Sequence, residues 1–168
     1  RTLLDVGTGA GLPGIPLAVY APHIKVTLMD ALKKRVHFLR AVTAAMGLTN
    51  TVCVHARAEE AAQQKEHRAR YDIAVSRAVA RLPVLLEYTL PFVRIGGTLL
   101  ALKGRAYAEE KEEAAYAAKL LGGGSIHAHR VFLPGLADVR AILSVRKQGK
   151  TPPAYPRRAG MPERAPLQ

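Results

Sequence analysis

Four residues near the start of the chain, Asp5, Gly7, Gly9 and Gly11, stand at alternate positions and could form a ligand-binding loop. Glycines accept positive φ angles and let a ligand approach the main chain closely. The apolar segment before them is typical of a buried parallel strand, and a helix is expected to begin near 12–16. A strand, a glycine loop and a helix N-terminus together predict a nucleotide-type binding site at the carboxyl edge of a sheet.

The acid at the entrance of this loop discriminates between two classes of ligand. The loop also fits G-x-G-x-x-G, the dinucleotide fingerprint, but that short match is weak by itself. A pyrophosphate would meet Asp5 as a like charge in a confined site, whereas the ammonium and sulfonium groups of S-adenosylmethionine suit it. Alternatively, Asp5 only caps the loop's own N–H groups and contacts no ligand. We favour the methyl donor and keep an NAD-dependent oxidoreductase as the alternative.

A second acid, Asp30, ends the next predicted strand and lies nineteen residues after Gly11. In doubly wound sheets an acid at this place faces the ribose hydroxyls of a bound nucleoside. Asp30 therefore supports a bound adenosine, without separating the methyl donor from a dinucleotide. The alternative is an ordinary exposed acid at a strand end.

Length and composition predict one α/β domain with a real core in a chain of 168 residues. No apolar stretch approaches the roughly eighteen residues that span a bilayer, so we expect no membrane partner. The single cysteine, Cys53, cannot form an internal disulfide, which favours a cytoplasmic protein without a disulfide-linked partner. Because the chain opens on a predicted strand without an initiator methionine, we expect it to be the later part of a longer protein.

The net charge of +12 points to a polyanionic partner such as nucleic acid. From residue 146 onward six cations stand against one acid, and five prolines follow residue 151. We therefore expect 148–168 to be a basic tail, extended and partly disordered when free, that docks on RNA. A merely solubilising tail is the alternative. The tail residues expected to contact RNA are Lys150, Tyr155, Arg157 and Arg158.

The chain between the two ends alternates strand and helix patterns. Strands are predicted at 3–6, 23–30, 51–55, 71–76, 98–102, 126–133 and 141–145, and later helices at 33–46, 83–90 and 109–121. The last two strands, joined through Pro134-Gly135, predict a C-terminal antiparallel hairpin. The result is a three-layer, Rossmann-like α/β sandwich over 1–147. In folds that bind S-adenosylmethionine, a strand at the C-terminal end of the sheet runs antiparallel to the others. In dinucleotide-binding folds, the strands at this end of the sheet stay parallel.

The sequence lacks residues that several other kinds of methyl transfer require, and this narrows the choice of the acceptor atom. Methylation of a pyrimidine carbon needs a cysteine nucleophile, and Cys53 is in the wrong strand. An exocyclic amine acceptor usually comes with an Asn/Asp-Pro-Pro-aromatic loop, but residues 76–80 read SRAVA. The six histidines show no ligand spacing, so we expect no metal. Guanine nitrogen seven already has a free lone pair and mainly needs alignment, which can be worth ~7–11 kcal/mol.

Several runs of this sequence closely resemble one family of enzymes. They are DVGTGAGLPGIP at 5–16, KRVHFL at 34–39, RAE at 57–59, SRA at 76–78, LKG at 102–104 and KTPPAYPRRAGMP at 150–162. The family is the bacterial methyltransferases that modify a guanine at nitrogen seven in 16S ribosomal RNA, also called glucose-inhibited division protein B. The resemblance covers essentially all 168 residues and implies a class I S-adenosylmethionine-dependent fold. Family members carry a short helical region before the first strand, and this chain begins at that strand.

The resemblance also implies functional residues, a methyl donor and a partner. The positions that match family contacts to S-adenosylmethionine are Gly7, Leu12, Ala58, Glu59 and Arg77. The spacing argument adds Asp30, with Asp5, Gly9 and Gly11 as further candidates. Arg77 could pair with the donor's carboxylate or hold the target base, and Lys103 could contact a phosphate or guanine O6, or be a solvated lysine. No residue is certain to be catalytic. The partner is 16S ribosomal RNA or the small subunit, and a non-catalytic basic RNA-binding module stays open.

Overall fold

The computed structural model describes residues 1–135 and 137–168, and the strands in these ranges form one mixed sheet. The strands are β1 (Thr2–Val6), β2 (Lys25–Asp30), β3 (Thr51–His55), β4 (Tyr71–Arg77), β5 (Val93–Lys103), β6 (Gly123–Val131) and β7 (Arg140–Lys147). Their order across the sheet is β3-β2-β1-β4-β5-β7-β6. Strands β1 to β5 are parallel, and β7 is antiparallel to both β5 and β6. The predicted C-terminal hairpin is confirmed.

Helices cover both faces of this sheet, which confirms the predicted three-layer α/β sandwich. They are α1 (Gly14–Tyr20), α2 (Lys33–Ala45), α3 (Ala58–Ala61), α4 (Leu82–Thr89), α5 (Tyr107–Glu113), α6 (Ala115–Leu120) and α7 (Met161–Arg164). Successive residues of β1 show the layering, because side chains alternate between the two faces of a strand. Leu3 packs in one core cluster with Ile15 of α1, whereas Leu4 packs in another with Ala61 of α3.

The order of the strands reverses between β1 and β4, the two neighbours at the centre of the sheet. In open α/β sheets this reversal leaves a crevice beyond the carboxyl ends of the strands, where ligands bind. The glycine loop follows β1 and the segment 78–81 follows β4, so both lie at this crevice.

The clearest differences between predicted and observed elements concern β5 and the helix predicted at 109–121, and β6 also spans Gly123–Val131 instead of 126–133. β5 begins at Val93, five residues before the predicted start, and continues through Gly96 and Gly97. A Cβ on Gly97 would lie 2.6 Å from the carbonyl oxygen of Asp72, so this glycine permits close strand approach instead of a turn. The helix predicted at 109–121 is two short helices, α5 and α6, which meet at Ala114.

The tail after β7 packs against the domain, and our expectation that it is extended and partly disordered was wrong. Thr151, Pro156 and Pro162 are buried, and Leu167 joins the core cluster beneath α4. The guanidinium of Arg68 donates hydrogen bonds to four backbone carbonyls, three of them in the tail. The composition of the tail did not predict this packing, because the residues that contact the tail lie far from it along the chain. The division into a domain at 1–147 and a tail at 148–168 stays a prediction.

Two further findings concern the residues that the structure describes. Within them, every helix is too short or too polar to cross a bilayer. The same residues bring together no group of three or more histidine, cysteine or acidic side chains placed to hold a metal ion.

Candidate functional site

The glycine loop between β1 and α1 adopts the backbone that its sequence predicts. The amides of Gly7 and Thr8 donate to the carbonyl oxygen of Met29 at 2.9 and 3.1 Å, which ties the end of β1 to the end of β2. Gly7 has a φ of +67°, and an added Cβ would lie 2.6 Å from Cγ2 of Val79. The main chain at Gly7 is therefore open to close approach only because it lacks a side chain.

Asp5 is fully buried beneath this loop, and its two carboxylate oxygens differ. Oδ2 accepts hydrogen bonds from the Thr8 hydroxyl at 2.6 Å and the Gly14 amide at 2.8 Å. Oδ1 is buried and has no hydrogen-bond partner within the described residues. Asp5 thus caps the loop, as one interpretation holds, and its other carboxylate oxygen stays buried and unsatisfied.

The buried carboxyl of Asp5 should make the free energy of unfolding depend on pH. Burial raises the pKa of Asp5 to about 6, from 3.8. Between these values the folded state binds more protons than the unfolded state, so the free energy of unfolding should fall as the pH rises. Asp5→Asn should flatten this slope, as measured by urea unfolding at a series of pH values. An unchanged slope in the variant would assign the dependence to another group.

Asp30, at the end of β2, is buried instead of exposed and holds the loop from the other side. Its Oδ2 accepts from the Gly9 amide and its Oδ1 from the Leu32 amide, both at 2.9 Å. Arg35 lies 3.5 Å from Oδ2, so the carboxylate also has a positive neighbour. The alternative of an ordinary exposed acid at a strand end is therefore wrong.

A small cavity of about 160 Å³, which we call the donor cavity, lies between the loop and the ends of β2 and β3. It is lined by Val6, Gly7, Met29, Asp30, Ala31, Ala56, Arg57, Ala58, Glu59, Val79, Tyr88 and Glu163. Glu59 is buried in α3, and its carboxylate accepts no hydrogen bond from another described residue within normal distance. Four of the predicted donor contacts thus share one cavity. They are Gly7, Asp30, Ala58 and Glu59.

The other predicted donor contacts lie near this cavity but do not line it. Leu12 is 43% exposed just before α1. Gly9 and Gly11 lie in the loop with positive φ angles, and Gly11 is buried. Arg77 is exposed at the end of β4 and faces a different cavity. Asp5 lies beneath the loop.

That second cavity, of about 750 Å³, lies beyond the ends of β4 and β5, and we call it the acceptor cavity. It has apolar walls and cationic side chains. The apolar lining includes Leu102, Val131, Leu133 and Ile142, and the cationic residues are Arg77, Arg81, Lys103 and Arg140. Val79 lines both the donor and the acceptor cavity, so the two spaces share a wall one side chain thick.

Lys103 has a role that neither sequence interpretation foresaw. Its side chain is 8% exposed and its Nζ lies 2.6 Å from Oε2 of Glu110. The same ammonium donates to the carbonyl oxygen of Ala80 at 2.6 Å, and Glu110 accepts from the Leu82 amide. Lys103 is therefore not a solvated lysine, because its ammonium holds Glu110 and the carbonyl oxygen of Ala80. Its contact with a phosphate or guanine O6 stays a prediction, since an ammonium has three donors.

The tail residues expected to contact RNA divide into two pairs. Lys150 and Arg158 are exposed, so their charges are accessible to a polyanion. Tyr155 is half-buried against the core cluster of α4. Arg157 forms a two-pronged ion pair with Glu87, whose side chain is fully buried, and its guanidinium is committed to that contact. Arg157 thus has a packing role that the sequence did not predict, and its expected RNA contact stays a prediction.

Among the lining residues of the donor cavity that sequence reasoning missed are Val79, Tyr88 and Glu163. Tyr88 and Glu163 are hydrogen-bonded, but they are 75 positions apart in the chain. No local pattern could have connected them. Val79 carried a weak signal, since it lies in the segment that follows β4.

A family model and curated relatives match this chain. The model of the GidB family, described as rRNA small subunit methyltransferase G, matches residues 1–132. The protein named ribosomal RNA small subunit methyltransferase G from Desulforamulus reducens is 47% identical over 165 residues, covering 98% of this chain and 69% of the relative. The protein of the same name from Alkaliphilus metalliredigens is 46% identical, covering 99% of this chain and 70% of its own length.

Several solved structures have folds similar to that of this chain. A predicted O-methyltransferase from Agrobacterium tumefaciens has a TM-score of 0.70 at 18% identity, covering 88% of this chain and 74% of its own. M. jannaschii TYW2, solved in complex with AdoMet, has a TM-score of 0.65 at 17% identity, covering 86% and 67% of the respective chains. At these identities the likeness shows the fold, which confirms the predicted Rossmann-like class.

Proposed function

The chain belongs to the rRNA small subunit methyltransferase G family, and we propose that it transfers a methyl group from S-adenosylmethionine to nitrogen seven of a guanine in 16S ribosomal RNA. The observation that carries this proposal is the pair of cavities that share Val79 as a wall. Methyl transfer needs a donor and an acceptor side by side, and the two cavities meet that requirement. The antiparallel β7 and the family relationship speak against the NAD-dependent alternative.

The residues of the donor cavity fit S-adenosylmethionine. The carboxylates of Asp30 and Glu59 offer acceptors to a ligand that is rich in N–H and O–H donors. Gly7 leaves the main chain open where a ligand would pass. When bound, S-adenosylmethionine supplies a methyl group on a positively charged sulfur. A pyrophosphate, by contrast, would meet several carboxylates.

The acceptor cavity fits a purine base attached to a phosphate backbone. Its volume of about 750 Å³ lies in the range of small-molecule sites, and its apolar side chains offer contact to a flat base. Arg77 places positive charge at its margin, where phosphates are attracted, whereas Arg81 is paired with Glu113 and Arg140 with Asp138. Charge of this kind would supply the sequence-independent part of RNA binding.

The ionisable residues of this cavity favour an acceptor atom that does not have to lose a proton before it takes the methyl group. Among the described lining residues, Glu110 is the one carboxylate, and it is paired with Lys103 at 2.6 Å. Neither group is therefore free to act as a general base. Nitrogen seven of guanine has a free lone pair and needs only to be aligned with the methyl group, which supports it over an exocyclic amine or a hydroxyl.

The proposal is tested by identifying the methylated base. The protein is incubated with S-adenosylmethionine carrying a deuterated methyl group and with either naked 16S ribosomal RNA or small subunits, and the RNA is digested to nucleosides. Mass spectrometry should find labelled 7-methylguanosine. A labelled nucleoside of another kind would overturn the proposed atom, and binding of S-adenosylmethionine without transfer to either RNA would favour a non-catalytic module. The substrate implies a reaction in the cytoplasm.

Asp30 gives a first test of the donor cavity. Asp30→Ala removes a carboxylate that holds two amides and lines the cavity, so binding of S-adenosylmethionine should weaken by about 1.5–3 kcal/mol. Asp30→Asn keeps one acceptor oxygen and should lie between the wild type and the alanine variant. Titration calorimetry measures both affinities, and circular dichroism checks that the sheet is intact. If both variants bind like the wild type, the role of Asp30 is confined to the loop.

A further inference from the structure

The C-terminal tail is fixed to the domain by buried polar contacts. Arg157 pairs with Glu87 of α4 through guanidinium–carboxylate contacts of 2.7 and 2.9 Å, and its own amide donates to the same carboxylate. Lys147, at the end of β7, donates to the carbonyl oxygens of Leu90 and Leu121 and contacts the Thr151 hydroxyl. These contacts give the tail one defined path across α3 and α4.

Along this path the short helix α7 brings an acid to the donor cavity. The Tyr88 hydroxyl donates a hydrogen bond to Oε1 of Glu163 at 3.1 Å, and both residues line the cavity. Tyr88 is only 6% exposed. The following residues, Pro166 and Gln168, line an adjacent cavity together with Val79. The end of the tail therefore lies beside the segment that separates donor from acceptor.

The hydrogen bond to Glu163 determines the orientation of the Tyr88 hydroxyl group. A hydroxyl has one proton, and Tyr88 uses it for the hydrogen bond to Glu163. The hydroxyl oxygen therefore offers only lone pairs to any other group in the cavity. Burial and the nearby carboxylates of Glu59 and Glu163 raise the pKa of Tyr88, so the proton stays on the hydroxyl at neutral pH. The tail thereby fixes Tyr88 as a hydrogen-bond acceptor.

We propose that Glu163 is a positioning residue of the donor site, which through Tyr88 presents an acceptor to the adenosyl group of S-adenosylmethionine. This rests on the proposed function. The wall formed by Glu59, Tyr88 and Glu163 consists of acceptors, and the adenine amine and ribose hydroxyls are donors. The tail, which sequence composition assigned to RNA docking, thus completes the pocket for the methyl donor.

Four variants of the full chain test this assignment by titration calorimetry with S-adenosylmethionine and S-adenosylhomocysteine. Glu163→Ala and Tyr88→Phe should each weaken both ligands roughly tenfold, because the two ligands share the adenosyl group. Glu163→Gln keeps an acceptor for the Tyr88 proton and should restore most of the affinity. Arg164→Ala changes the neighbouring exposed residue of α7 and should bind like the wild type.

The double variant, Glu163→Ala with Tyr88→Phe, separates positioning from general damage. If Glu163 acts through Tyr88, the double variant should bind no more weakly than either single variant. Wild-type affinity in Glu163→Ala would overturn the inference, and so would equal losses in Glu163→Gln and Glu163→Ala together with lower melting temperatures. Failure of the wild-type protein to bind S-adenosylmethionine would instead overturn the proposed function on which the inference rests.

Discussion

Replacing Gly7 by valine should abolish measurable binding of S-adenosylmethionine while the domain stays folded. The Cβ of any side chain at this position would lie 2.6 Å from Cγ2 of Val79, which lines the same donor cavity. Val79 is 38% exposed on a connecting segment, so it has room to move and the sheet need not open. The added side chain then occupies the space through which the ligand approaches the main chain. We expect a loss of at least about a hundredfold, or ~2.8 kcal/mol.

Backbone strain has to be separated from this steric effect, because Gly7 has a positive φ. Gly9 provides the matched control, since its φ of +61° is similar but an added Cβ would meet nothing within 4 Å. Gly7→Ala and Gly9→Ala should therefore lose comparable stability in thermal unfolding, but only Gly7→Ala should lose substantial donor affinity in calorimetry. Equal losses of affinity would assign the effect to strain. Wild-type affinity in Gly7→Val would remove the loop from the site.

Local sequence predicts those site residues that lie at the carboxyl ends of the strands. Asp5, Gly7, Asp30 and Glu59 each follow or end a strand in a pattern readable over a few residues, and parallel strands place their carboxyl ends at one edge. The position of these residues at one crevice therefore followed from strand order alone. Their hydrogen bonds did not, and the unpartnered Oδ1 of Asp5 is visible only in three dimensions.

The part that sequence could not predict depends on contacts between distant segments. Lys103 was weighed as a phosphate contact or a solvated lysine, yet it is paired with Glu110 of α5 and donates to Ala80. A charged residue at a strand end has the same local pattern whether its partner is RNA, water or a carboxylate. The Tyr88–Glu163 bond is a still longer-range contact.

The tail shows the same limit at the level of a whole segment. The composition of 148–168, with its cations and prolines, indicates an extended, solvated chain if no contacts with other segments are considered. The packing depends on partners elsewhere, above all on Glu87 for Arg157 and on Arg68 for the tail carbonyls. A buried carboxylate cannot be recognised in the sequence of α4, where Glu87 stands among apolar residues.

Two adjacent arginines, Arg157 and Arg158, should therefore respond oppositely to substitution. Arg157→Ala leaves the carboxylate of Glu87 buried without its cation, and removing one partner of such a pair costs ~3–5 kcal/mol. Arg158 is exposed, so Arg158→Ala should change the free energy of unfolding by less than about 0.5 kcal/mol. Urea unfolding of both variants measures the difference.

RNA binding should reverse the order of the two variants. Arg158→Ala removes an accessible charge, so the affinity for 16S ribosomal RNA should fall and the salt slope should flatten by about 0.7 if a single-stranded phosphate contact is lost. Arg157→Ala, measured at a temperature where it remains folded, should keep the wild-type slope because its guanidinium is bound to Glu87. A flatter slope in Arg157→Ala with undiminished stability would mean that the ion pair opens to bind RNA. The tail would then be a docking arm after all, and the wall that it gives to the donor cavity would be secondary.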